Sequence, residues 1–147
     1  MALEEKINSD IKTAMLAKDA AKLEALRAIK SAILLLKTSA EGLTAETELK
    51  TLMKLVKQRK ETAEIYSSQN RPDLAEVEHF QASIIEAYLP KQMSETEIKT
   101  EIEKIISSAG VTSPSDLGKI MGIATKQLAG KADGKVISTL VKELLNK

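Results

Sequence analysis

The chain has no cysteine and no tryptophan, and its one histidine is His79. Without cysteine there are no disulfides, no thiolate nucleophile and no cysteine-ligated zinc. Aromatic residues make up 2% of the chain: Tyr66, Phe80 and Tyr88. That scarcity removes the stacking platforms on which RNA-recognition sheets and single-strand binders depend. It also disfavours a β-sandwich, whose strands draw on aromatic and β-branched residues. An excess of one charge is missing as well, since 22 Lys and Arg stand against 21 Asp and Glu. Whole-molecule electrostatic capture of nucleic acid is therefore excluded, although a local patch remains open. No apolar run approaches the ~20 residues of a membrane span. The opening MALEEKINSD carries acids where a secretory leader needs an apolar stretch. The expectation is a soluble, cytoplasmic protein.

What is present is helical periodicity. Leu3, Ile7, Ile11, Ala14 and Met15 recur at three- and four-residue steps, and Asp19 is placed to cap a second helix. In that helix Leu23, Leu26, Ile29, Ile33 and Leu34 are expected on one side. Thr44 opens a long third helix carrying Leu49, Leu52, Met53, Val56, Ala63 and Tyr66. Pro72 suits the first turn of a fourth, with Asp73 at the positive end of its dipole and Leu74, Val77, Ile84, Ile85 and Tyr88 inward. Pro90 to Met93 reads as a domain boundary. After it, Ser94-Glu95-Thr96-Glu97 forms a capping box for a helix striped by Ile98, Ile102, Ile105 and Ile106, closed at Gly110. Ser113-Pro114-Ser115-Asp116 and Asp133 begin two more. The fold class is all-α: a four-helix domain over 1–90 and a three-helix domain over 94–147.

Catalytic constellations do not assemble. Glu76-x-x-His79 has di-iron spacing, but such sites need a second Glu-x-x-His, and this chain has no second histidine. No metal site is expected, and no cofactor. No serine sits in a Gly-x-Ser-x-Gly elbow. Gly130-Lys131 and Gly134-Lys135 invite a phosphate-loop reading, but neither lysine precedes Ser or Thr and the five-residue glycine spacing fails. Gly118 and Gly122 lie one turn apart on a helix, where each costs about 1 kcal/mol relative to alanine. Close helix packing is the favoured explanation, and close backbone approach by a ligand is the other.

The sharper signal is local charge. From Leu117 onward there are six lysines, at 119, 126, 131, 135, 142 and 147, against Asp133 and Glu143, a balance of +4. Lys131 and Lys135 bracket a helix start, where backbone N–H groups and the dipole favour anions. This pattern suits backbone phosphates, which lysines contact without reading bases. A second basic stretch, containing Lys57, Arg59 and Lys60, is followed at once by acids.

Several ordered motifs add to this reading. They are Lys57-Gln58-Arg59-Lys60, Arg71-x-Asp73-Leu74-Ala75-x-x-Glu78, Tyr88-Leu89-Pro90, Asp116-Leu117-Gly118-Lys119-x-Met121-Gly122, and Gly130-Lys131-Ala132-Asp133-Gly134-Lys135. Together they make the chain resemble the YqeY family, stand-alone proteins of the GatB/YqeY domain class. The resemblance implies an all-helical two-part fold. It also links the C-terminal part to the tail of the B subunit of tRNA-dependent amidotransferases, carbon–nitrogen ligases with glutamine as amido-N-donor. In those enzymes the tail contacts tRNA and the chemistry lies in other domains. Carried onto this sequence, the RNA-facing candidates are Lys119, Lys131 and Lys135, with Gly118, Gly130 and Gly134 shaping the loop. The large catalytic domain has no counterpart, so the expectation is a binding module with no independent activity. Its expected partners are tRNA and an amidotransferase or aminoacylation complex, without membrane or DNA. The alternative is a protein–protein adaptor or amidotransferase accessory factor with no direct RNA contact.

Overall fold

A computed structural model describes residues 2–110 and 113–146. Among them are seven α-helices and no strand: α1 (Leu3–Leu16), α2 (Ala20–Lys37), α3 (Ala45–Ser68), α4 (Pro72–Glu86), α5 (Glu95–Ala109), α6 (Leu117–Gln127) and α7 (Gly134–Leu145). The chain divides into two compact units, Met1–Pro90 and Lys91–Lys147.

In the first unit, the helix starts follow local chemistry. Asp19 Oδ1 accepts the Lys22 amide at 3.1 Å and starts α2. Thr44 and Thr47 exchange backbone and side-chain bonds in a capping box, satisfying amides that the helix ladder leaves without partners. Arg71 donates through Nε and Nη2 to both oxygens of Asp73, at 3.2 and 3.0 Å. That hydrogen-bonded fork holds the Asp73 carboxyl below the usual range and raises the Arg71 guanidinium. Asp73 therefore serves the hairpin turn as well as the α4 dipole.

The first core gathers Ile7, Ala14, Leu26, Ile29, Ile33, Leu52, Val56, Ala82 and Ile85. The α3 and α4 helices form the most extensive pairing, and α2 packs on α1, α3 and α4. Three residues of the expected apolar stripes face outward instead: Met15 is 55% exposed, Leu34 47% and Val77 48%. Leu34 stands about 100° round the wheel from Ile33. The helices packed on α2 bury the Ile33 side and leave Leu34 outside. Tyr88 joins this unit's ends, because its hydroxyl donates to Asp10 on α1 while Lys6 lies 5.3 Å from the ring centroid. Burial first, and then the Asp10 carboxylate, push the Tyr88 hydroxyl above its ordinary range.

The second unit packs α5, α6 and α7 around Ile98, Ile102, Ile105, Ile120, Ala124, Leu128, Ile137, Leu140, Val141 and Leu145. Its Ser94–Glu97 capping box closes with both reciprocal bonds. Gly110 ends α5 at φ +65°, a left-handed position that glycine takes without a Cβ penalty. The proline start signal makes a 3₁₀ turn over Pro114–Asp116 before α6 begins at Leu117.

Candidate nucleic-acid interface

The lysine-rich hairpin is α6, the connection 128–133, and α7. Helix α6 buries Ile120 and Ala124 and tucks Leu117, Met121 and Ile123 partly inward. Its other face carries Gly118, Lys119, Gly122, Thr125 and Lys126, all exposed. Lys119, Gly122 and Lys126 follow at i, i+3 and i+7, so they line up along one side. At 1.5 Å per residue, the two lysines stand about 10 Å apart along the axis, with Gly122 between them.

Glycine packing is overturned here. A Cβ built on Gly118 or on Gly122 would meet nothing within 4 Å, and neither residue has a positive φ. Neither glycine is needed for helix approach inside the unit. Their effect is to leave the α6 backbone bare between charged side chains. Gly134 likewise faces open space at the start of α7.

The connection is built differently. Gly130 is buried at φ +75°, a backbone position that favours glycine, and Ala132 is buried in the core. These two inward points leave the Lys131 side chain exposed, as is that of Lys135 one residue into α7. Asp133 Oδ1 accepts the Lys135 amide at 2.9 Å. The start of α7 is therefore capped by the chain's own carboxylate, and a phosphate there would meet an acid as well as the dipole. The connection offers lysine side chains more than it offers a vacant helix N-terminus.

The sequence candidates thus fall into two groups. Gly130 and Lys131 lie in the connection, and Gly134 and Lys135 open α7 directly after it. Lys119 and Gly118 lie at the far end of α6, Lys119 about 12 Å along the helix from Gln127. Lys126 lies between the two groups in sequence, in the last turn of α6; it is outside the family motifs, although its i+7 spacing from Lys119 is readable in the sequence. Lys147 lies outside the described residues.

The second basic stretch is engaged within the first unit. The Arg59 guanidinium donates to Gln81 Oε1 at 3.1 Å and to the Leu55 carbonyl at 3.2 Å. Lys60 pairs with Glu86 at 2.5 Å, while Lys57 is exposed on the same helix. Arg59 and Lys60 thereby tie α3 to α4. His79 is exposed on α4. Among the described residues, no group of three or more His, Asp or Glu side chains is arranged to hold a metal ion.

The sequence profile of the YqeY-like protein family matches residues 4–145. The chain belongs to that family. Three fungal relatives bear the name Altered inheritance of mitochondria protein 41, mitochondrial. The one from Meyerozyma guilliermondii is 40% identical over 83 residues, covering 56% of this chain and 44% of the relative. That matched stretch spans less than half of the relative's length. The Clavispora lusitaniae protein is 34% identical over 132 residues, 86% of this chain and 74% of its own. The Pyrenophora tritici-repentis protein is 26% identical over 145 residues, 95% of this chain and 79% of its own. YqeY-like membership accounts for the motif order from Lys57 to Lys135. No helix among the described residues is long and apolar enough to cross a membrane.

Proposed function

We propose that this YqeY-like protein is a non-catalytic helical module that binds tRNA, or a complex containing tRNA, through its C-terminal unit. The observation that carries the reading is the outer face of α6, where exposed Lys119 and Lys126 flank a backbone left bare at Gly122. Nothing within the unit uses those glycines for packing. A phosphate backbone can approach such a face closely, and ammonium groups on either side neutralise it without reading sequence. Lys131 and Lys135 extend the basic surface into the connection. The resemblance of this hairpin to an amidotransferase tail selects tRNA among polyanions. In this reading 1–90 and 94–147 act as separate domains, and any carbon–nitrogen ligase chemistry belongs to a partner enzyme. The proposed place of action is an aqueous compartment where tRNA is handled, cytoplasmic as the composition implies. The fungal relatives carry the word mitochondrial in their name, and the inside of a mitochondrion would be another such compartment.

The test is tRNA binding by wild type and by Lys119→Glu/Lys126→Glu, each checked for helicity by circular dichroism. Loss of most of the low-salt affinity is expected. Equal binding by the two proteins would remove the reading.

The adaptor reading has its own support in the first unit. Val77 and Phe80, one turn apart on α4, are 48% and 39% exposed. A protein complex that forms in nuclease-treated, high-salt extract and is lost in Val77→Ser/Phe80→Ser would favour it. Persistence of the complex in that variant would count against this face.

A further inference from the structure

Gln92 and Met93 precede α5, nearly forty residues before the lysine-bearing connection, yet both are hydrogen-bonded to it. Gln92 Nε2 donates to the Gly130 carbonyl at 2.7 Å. The Met93 amide donates to the next carbonyl, that of Lys131, at 2.9 Å. Two consecutive residues thus hold two consecutive carbonyls of the proposed RNA-binding loop.

We propose that Gln92 is a positioning residue for that loop, clamping it with the Met93 amide so that Lys131 is presented to phosphate. The inference rests on the RNA-binding reading above. A carbonyl oxygen repels a phosphate oxygen, so a loop that receives anions must turn its carbonyls to other donors. Here both carbonyls already have donors, from the same short segment. The Lys131 amide is also engaged, donating to the Leu128 carbonyl at 3.0 Å. Buried Leu128 and Ala132 anchor the loop on either side of the exposed lysine. With its backbone held before binding, the loop loses less conformational freedom when a ligand arrives. The exposed Gln92 side chain makes this contribution without being part of the core.

The test compares wild type, Gln92→Met, Lys131→Gln and the double variant, using tRNA affinity across a salt series. Gln92→Met keeps length and charge and removes the donor. Loss of one hydrogen bond's worth of preorganisation is about fivefold in affinity. The double variant is expected to bind no more weakly than Lys131→Gln, because both changes act through one lysine. Amide hydrogen exchange over 128–134 is expected to speed up in Gln92→Met, with the circular dichroism spectrum unchanged. Wild-type affinity in Gln92→Met would overturn the proposal. A loss that adds in full to that of Lys131→Gln would overturn it too, since a general destabilisation behaves that way. If Lys131→Gln itself binds tRNA normally, the loop's part in the RNA reading fails. The exchange data then decide the clamp alone: faster exchange in Gln92→Met upholds it, and unchanged exchange removes it.

Discussion

Gly122 lies in the middle of α6 with no φ that requires glycine and with open space where a Cβ would stand. Alanine there should stabilise the C-terminal unit by about 1 kcal/mol, the ordinary helix-propensity difference. If a phosphate backbone sits against this face, the added methyl should weaken tRNA binding at the same time. Thermal melts and binding curves on Gly122→Ala check both; tighter folding with unaltered binding would deny glycine any recognition role. Tyr88 offers a residue-scale check on the first unit. Its hydroxyl titrates higher in the folded protein than its ordinary 10.0 because burial and Asp10 favour the neutral form. A raised folded value means the contribution is complete below pH 10 and declines as pH rises above it. Tyr88→Phe should cost about 1.5 kcal/mol near neutrality and flatten the alkaline decline. Chemical denaturation from pH 7 to 11 in both proteins measures this.

Helix boundaries show what was legible at the scale of the element. Asp19, Thr44, Ser94 and Asp133 all accept an amide from the first turn of the following helix, as their side chains and positions imply. Such caps are local chemistry, so sequence carries them in full. Ser94→Ala should therefore destabilise the second unit by about 1 kcal/mol, measured by denaturant titration. Packing partners are not local, and there the reading of the sequence departs from the structure. Leu34 and Val77 keep a helical period yet face outward, because the neighbouring helices cover a narrower arc than the apolar stripe. Gly118 and Gly122 suggested helix approach, and the structure places open space beside both. In the candidate site the exposed lysines were legible from charge spacing. The bonds from Gln92 and Met93 to the Gly130–Lys131 loop were not, since a glutamine side chain leaves no periodic trace.

On the scale of the whole molecule, family membership and the seven helices of the described residues stand together, and the basic residues singled out in the sequence are placed differently in the two units. Arg59 and Lys60 are engaged in holding α3 to α4, whereas Lys119, Lys126, Lys131 and Lys135 are exposed in the C-terminal unit. With the chain near neutral overall, the proposed tRNA binding would rest on one surface and not on total charge. Several lysine–phosphate contacts release several counterions, so affinity should fall steeply with salt. The most direct measurement is tRNA affinity between 50 and 200 mM salt, for wild type and for Lys119→Gln/Lys126→Gln/Lys131→Gln/Lys135→Gln. The expected result is a steep wild-type slope and, in the variant, weaker binding with a slope lower by about three to four. Identical affinities and slopes in the two folded proteins would contradict RNA binding by this surface.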